Sequence, residues 1–146
     1  MAQLSVVSVA DRAGFYTFAA ALRASDHFEK LEGPGPFTVF APTDAAFTAA
    51  MSPVALDKFL RHDPERLHIV LGYHIAAGRV AAARFADKRM RAVMQTGGDV
   101  RIDGRTELRV NGVRVVKPDL NASNGVIHGI DALLWPPKPA VAVAAT

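Results

Sequence analysis

Near Gly78 the hydrophobic pattern of this 146-residue chain changes period, and the change points to helices first and strands after. Before that glycine, Phe15, Phe18 and Leu22 recur at helical spacing with Ala19, Ala20 and Ala21 among them, which suits a helix packed closely on a core. Ser52-Pro53 and Asp63-Pro64 each read as an N-cap followed by proline at the first helical position, so each opens a short helix. After Pro64, Leu67, Leu71 and His74 share one face, which delivers His74 at its end.

Beyond Gly78 the period is two. Val100 and Ile102 alternate with Arg101 and Asp103, and Leu108 and Val110 flank Arg109, as in half-buried antiparallel strands. Asn111-Gly112 predicts a two-residue hairpin turn with positive φ at both positions. Gly97-Gly98 and Asp103-Gly104 mark further turns. A last strand-like run extends from Val126 to Trp135, ended by Pro136-Pro137. The fold class is therefore α+β. No internal repeat or linker divides the chain, and a composition half hydrophobic suits one compact core. The domain is assigned to residues 4–137, with 138–146 as a disordered tail.

Without cysteine there is neither a disulfide framework nor a thiolate metal site. No apolar run approaches the roughly 18 to 20 residues that cross a bilayer, so the chain reads as soluble, with any membrane association peripheral. Its opening residues lack the basic and apolar regions of a secretory signal, which fits either a cytoplasmic protein or one whose signal was removed. The net charge of +3 is unevenly spread: residues 79–117 carry ten Lys or Arg against four acids, a local +6, leaving the rest at −3. An acidic partner should meet this basic second half, whose charges otherwise form the solvated outer face of strands.

Three separated segments then converge. Phe37 to Phe47 (FTVFAPTDAAF) reads as a buried strand, a proline stop, a Thr/Asp cap and the first turn of a helix anchored by Phe47. That segment closely resembles the first signature of fasciclin-like domains. Tyr73-His74 is similar to the family's central Tyr-His pair, and Asn124 to Asp131 (NGVIHGID) to its second signature, in the family's order and separations. The resemblance covers roughly residues 4–135 and points to a single-domain bacterial member. It implies a wedge of two small β-sheets with a layer of short helices on one side, usually outside the cytoplasm. It also implies cell adhesion or surface contact without catalysis. Gly129 departs from the apolar β-branched residue usual there and is read as a local bulge.

Lys117-Pro118-Asp119-Leu120 resembles a Pro-Asp-Ile type motif proposed to engage integrins in some animal matrix members, as the Tyr-His region also is. Pro118 and Asp119 match; Lys117 replaces an acid and Leu120 is only similar, which weakens the case for an integrin partner. The plainer reading ends a strand at Pro118 and gives Asp119 turn hydrogen bonds. His62, His68 and His74 are six residues apart and fall about 120° apart around a helix, which builds no shared metal face, and no cofactor is implied. His74 and His128 lie in apolar segments as hydrogen-bonded core histidines; the sharper alternative pairs one of them with Asp44 or Asp131 for acid–base hydrolysis. Thr43 and Ser123 are the hydroxyls at hand, and neither lies in a nucleophile elbow. Phe85 is the one aromatic residue in 79–117, which argues against nucleic acid.

The expected function is a non-enzymatic adhesion or protein-interaction module, secreted, periplasmic or at the cell surface, with a cytoplasmic location left open. Its contact candidates are Tyr73, His74, Lys117, Pro118, Asp119, Leu120, Arg101, Arg109 and Arg114. The alternative is a binder of acidic glycan or anionic lipid through the basic strands.

Overall fold

A computed structural model describes residues 5–85, 87–94, 99–105 and 107–135. The Gly97-Gly98 turn, the Pro136-Pro137 stop and the tail therefore lie outside the described residues. Among the described residues, six α-helices come first or nearly so: α1 (Val6–Arg12), α2 (Tyr16–Ala24), α3 (His27–Leu31), α4 (Asp44–Ala50), α5 (Pro53–Arg61) and α6 (Pro64–Gly72). The strands are β1 (Phe37–Pro42), β2 (Ile75–Ala77), β3 (Arg89–Val93), β4 (Asp99–Asp103), β5 (Arg109–Val110), β6 (Val113–Ala122) and β7 (Gly125–Ile130).

Local chemistry starts the helices where the caps predict. Thr43 Oγ1 accepts from Ala46 N at 3.1 Å, Ser52 Oγ from Ala55 N at 3.2 Å and Asp63 Oδ1 from Arg66 N at 3.3 Å, each satisfying an orphan amide of a first turn. Pro53 and Pro64, lacking an N–H, sit at the first helical position without loss.

The strands follow the order β2-β1-β7-β6-β5-β4-β3, with β1 and β7 parallel and the other pairs antiparallel. The two sheets implied by the resemblance are two wings of this order that share β6, a first wing β2-β1-β7-β6 and a second wing β6-β5-β4-β3: Val113 and Arg114 pair with β5, and Val115 to Ala122 with β7. An Ala76–Met94 bridge touches the outermost strands together. Residues alternate between two cores along β1. Phe37, Val39 and Ala41 meet the helices in one cluster with Phe18, Leu22, Phe47, Leu71 and Ile127. Phe40 points the other way, between the wings, with Tyr73, Val100, Ile102, Val110 and Ile130. Burial on both faces explains why β1 and β7 are apolar except for the hydrogen-bonded Thr38 and His128, while β3 and β4 alternate.

Three expectations need correction. The last strand stops at Ile130, and Leu133 and Leu134 return to the cores as irregular chain. Pro118 does not end a strand: β6 continues through it, because the ladder breaks there and no partner carbonyl is left waiting for its missing N–H. The bulges lie in β6, on either side of the Lys117–Gly129 pair, rather than at Gly129. Gly129 is small because the Phe15 ring occupies the space beside it, with Cζ 2.4 Å from where a Cβ would stand.

Candidate functional site

The signature residues build the scaffold. Asn124 is buried, its Nδ2 donates to Leu31 O (2.6 Å) and Gly33 O (2.7 Å), and its Oδ1 accepts from Val6 N (3.0 Å), tying α1 and α3 to the start of β7. Thr38 Oγ1 donates to Gly78 O and accepts from Val80 N, fixing the chain where the period changes.

Each imidazole in the signatures is held in one neutral tautomer by its neighbours. Leu134 N donates to His74 Nε2 at 2.9 Å, so His74 Nδ1 carries the proton it donates to Val70 O at 2.8 Å. Asp119 N donates to His128 Nδ1 at 3.1 Å, so His128 Nε2 donates to Val80 O at 2.8 Å. Burial pushes the His74 pKa down to about 4 and also lowers that of His128. Neither ring has a nitrogen free to take a proton from a substrate. Asp44, the suggested orienting acid, instead accepts from Thr17 N at 2.8 Å, and Asp131 lies exposed. The acid–base arrangement is not assembled.

Tyr73 and His74 are only 2% and 0% exposed, so their burial removes them from direct contact with a partner. They face opposite layers: the His74 ring lies 5.8 Å from that of Phe18 under the helices, while Tyr73 belongs to the inter-wing core. Tyr73 Oη donates to Asp99 O at 2.6 Å and accepts from Asn111 Nδ2 at 3.1 Å, and Asn111 Oδ1 accepts from Arg101 N at 2.7 Å. The tyrosine thus braces the β4–β5 strands from behind. Asn111 (φ 51°) and Gly112 (φ 82°) form the expected hairpin turn.

The outer face of that braced wing is rich in arginine. Residues paired directly across antiparallel strands share a face, which aligns Arg89, Asp103, Arg109 and Arg114 in one row and Arg91 with Arg101 in the next. Two of these pairs, Arg91–Arg101 and Arg109–Arg114, set like charges directly opposite each other. Acids offset this only in part. Asp99 pairs with Arg91 (3.4 Å), Glu107 pairs with Arg109 and lies 3.8 Å from Arg114, and Asp103 is held by Arg105 (3.0 Å), which lowers its pKa. Arg89 and Arg101 make no ion pair among the described residues. Arg89, Arg91, Arg101 and Arg109 line an open cleft of about 1090 Å³, with Trp135 at its margin, 45% exposed and carrying Arg66 over its ring at 5.8 Å.

The structure therefore splits the sequence candidates. Arg101, Arg109 and Arg114 lie together on this face. Lys117 to Leu120 lie in the bulged part of β6, where the Lys117 ammonium stands 5.8 Å from the Phe15 ring centre. Asp119 has a positive φ of 58° and its Oδ1 accepts from Ala82 N at 2.8 Å, a structural bond that shapes the bulge. Sequence reasoning passed over Arg89, Arg91 and Trp135; the alternation in Arg89-Met90-Arg91-Ala92-Val93 was the available signal.

One cluster came from distant segments. His27 Nε2 donates to His68 O at 2.8 Å, His68 Nδ1 lies 2.6 Å from Asp26 Oδ1, and the two rings stack at 4.3 Å with 8° between planes. Ligand atoms of the three lie within 4.8 Å of one another, but nitrogen lone pairs lie in the ring planes, and those of parallel stacked rings do not converge on one ion. As arranged, the cluster docks α3 on α6. Among the described residues, no helix is long and apolar enough to cross a membrane.

Comparison with known proteins agrees with this architecture. The Synechocystis protein sll1735 is 35% identical over 92% of this chain and 98% of its own length. The cell surface glycolipoprotein MPB83 of Mycobacterium bovis is 35% identical over 70% of this chain and 45% of its own. A solved domain pair from the insect cell adhesion molecule Fasciclin I superposes with a TM-score of 0.63 at 17% identity, covering 88% of this chain and 47% of that one, a likeness of fold. The sequence model of the fasciclin domain matches residues 13–136, and the chain belongs to the fasciclin domain family.

Proposed function

We propose that this chain is a non-enzymatic interaction module, acting as a single domain at the cell surface or in the extracytoplasmic space. Its contact surface is the outer face of β3, β4, β5 and the start of β6. The observation that carries this reading is the direct pairing of Arg91 with Arg101 and of Arg109 with Arg114 on an exposed face. Like charges placed opposite each other cost stability in the free protein, and an anionic partner offsets that cost. The histidines that could have supported turnover are instead bonded inside the scaffold. The likeness to a mycobacterial cell surface glycolipoprotein supports the location.

The test is capture from cell-surface extract with the domain as bait. Arg101→Gln/Arg109→Gln should reduce capture about tenfold or more, as expected for lost charge-assisted contacts, while Arg61→Gln on α5 leaves it unchanged. Equal capture by all three proteins contradicts the proposal.

A further inference from the structure

Resting on that reading, we infer that the arginine cleft of the second wing binds an acidic polysaccharide, a chain carrying a carboxylate or sulfate group on successive sugars. Charge sets the sign of the ligand. Counting the six arginines Arg89, Arg91, Arg101, Arg105, Arg109 and Arg114 against Asp99, Asp103 and Glu107 leaves +3; Arg89 faces Asp103, which Arg105 already holds, and neither Arg89 nor Arg101 makes an ion pair among the described residues. Planar guanidinium forks donate paired hydrogen bonds to carboxylate or sulfate oxygens, which a compact ammonium does not.

Shape and composition select the class. The cationic sites recur along each strand about 6.6 Å apart and between strands about 4.8 Å apart, so they form a field that a polymer crosses rather than a point that one small anion fills. The arginines line a concave cleft, into which a flexible chain can settle while a planar bilayer reaches only the rim. Trp135, partly exposed with Arg66 over its ring, is a single aromatic beside the cleft, too little for successive stacked bases. The cleft floor is already hydrogen-bonded through Tyr73 and Asn111, which holds the arginine-bearing strands in register before a ligand arrives.

The experiment measures the affinity of the full chain, by calorimetric titration, for a polyuronate oligosaccharide, dextran sulfate, uncharged dextran and vesicles of phosphatidylserine with phosphatidylcholine. Either charged polysaccharide should bind and uncharged dextran should not, and the tighter of the two assigns the preferred anion. Binding should weaken steeply with added salt. Arg91→Gln/Arg101→Gln should lose about tenfold or more in affinity while melting close to the parent, because the repulsion it removes offsets the loss of the exposed Arg91–Asp99 pair. Arg89→Gln supplies an independent loss of affinity, and Arg61→Gln serves as the charge-matched control with none. Silence in both polysaccharide arms, binding to vesicles alone, or unchanged affinity in the cleft variants overturns the inference. If a surface partner is still captured in excess free polyuronate and dextran sulfate, the glycan assignment falls and the interaction role stands. Absence of any capture together with silence in both polysaccharide arms removes both.

Discussion

Tyr73 shows how one side chain can join core and surface without being exposed. Its ring fills the space between the wings, and its hydroxyl holds the Asp99 carbonyl and the Asn111 amide behind the arginine face. Removing only the hydroxyl leaves both partners short of a bond. Tyr73→Phe should therefore lower stability by about 1–2 kcal/mol in denaturant unfolding, and Tyr73→Ala by about 3–5 kcal/mol through the added cavity. A Tyr73→Ala protein that unfolds like the parent would return this residue to the surface. His74 was legible in the sequence as a hydrogen-bonded core histidine as well as a contact candidate, and the first reading holds, whereas the inward turn of Tyr73 was not legible. Periodicity marks the buried face of α6, yet it cannot tell whether the two residues past the helix end turn inward or toward a partner. Asn124 was equally opaque: its three bonds run to residues about 90 to 118 positions earlier in the chain.

Among the elements, those with local chemical signals were the readable ones. The caps at Thr43, Ser52 and Asp63 and the Asn111-Gly112 turn involve atoms within a few residues, so their outcome is set by neighbours in sequence. Helices α1 and α3 and strand β2, only three to seven residues long, depend on tertiary packing and left no periodic trace. The parallel β1–β7 pair joins the two signatures, which explains why the strand in each is buried throughout, but strand order is not written in either segment. Strand β7, opposite the bulged part of β6, is matched to the start of α2 through Gly129 and the N-cap residue Phe15. Gly129→Ala should destabilise the parent by about 1–3 kcal/mol, and much less in a Phe15→Leu background, where the ring is gone. A double-mutant cycle by thermal or urea unfolding checks this; strictly additive effects would break the proposed pairing.

Across the whole molecule, the buried histidines make the fold sensitive to acid. The folded pKa of His74 lies at about 4, below the ordinary 6.5, so between those values the unfolded chain binds a proton that the folded chain refuses. Stability should be full above pH 6.5 and fall as pH drops toward 4, with His74 alone contributing up to about 1.4 kcal/mol per pH unit. His27 and His128, also lowered by burial, act in the same direction. Urea midpoints measured from pH 7.5 to 4 check this, and a flat profile would contradict the neutral tautomers assigned above. The same scale gives the division of labour: a helical layer and first wing that fix the fold, and a second wing that carries surplus positive charge on its outer face. Amide hydrogen exchange of the domain, free and bound to a partner captured from cell-surface extract, tests that division most directly. Protection concentrated in residues 89–93, 99–103 and 109–114 is the predicted result. Protection confined to the α4–α5 surface, with those strands unchanged, would contradict it.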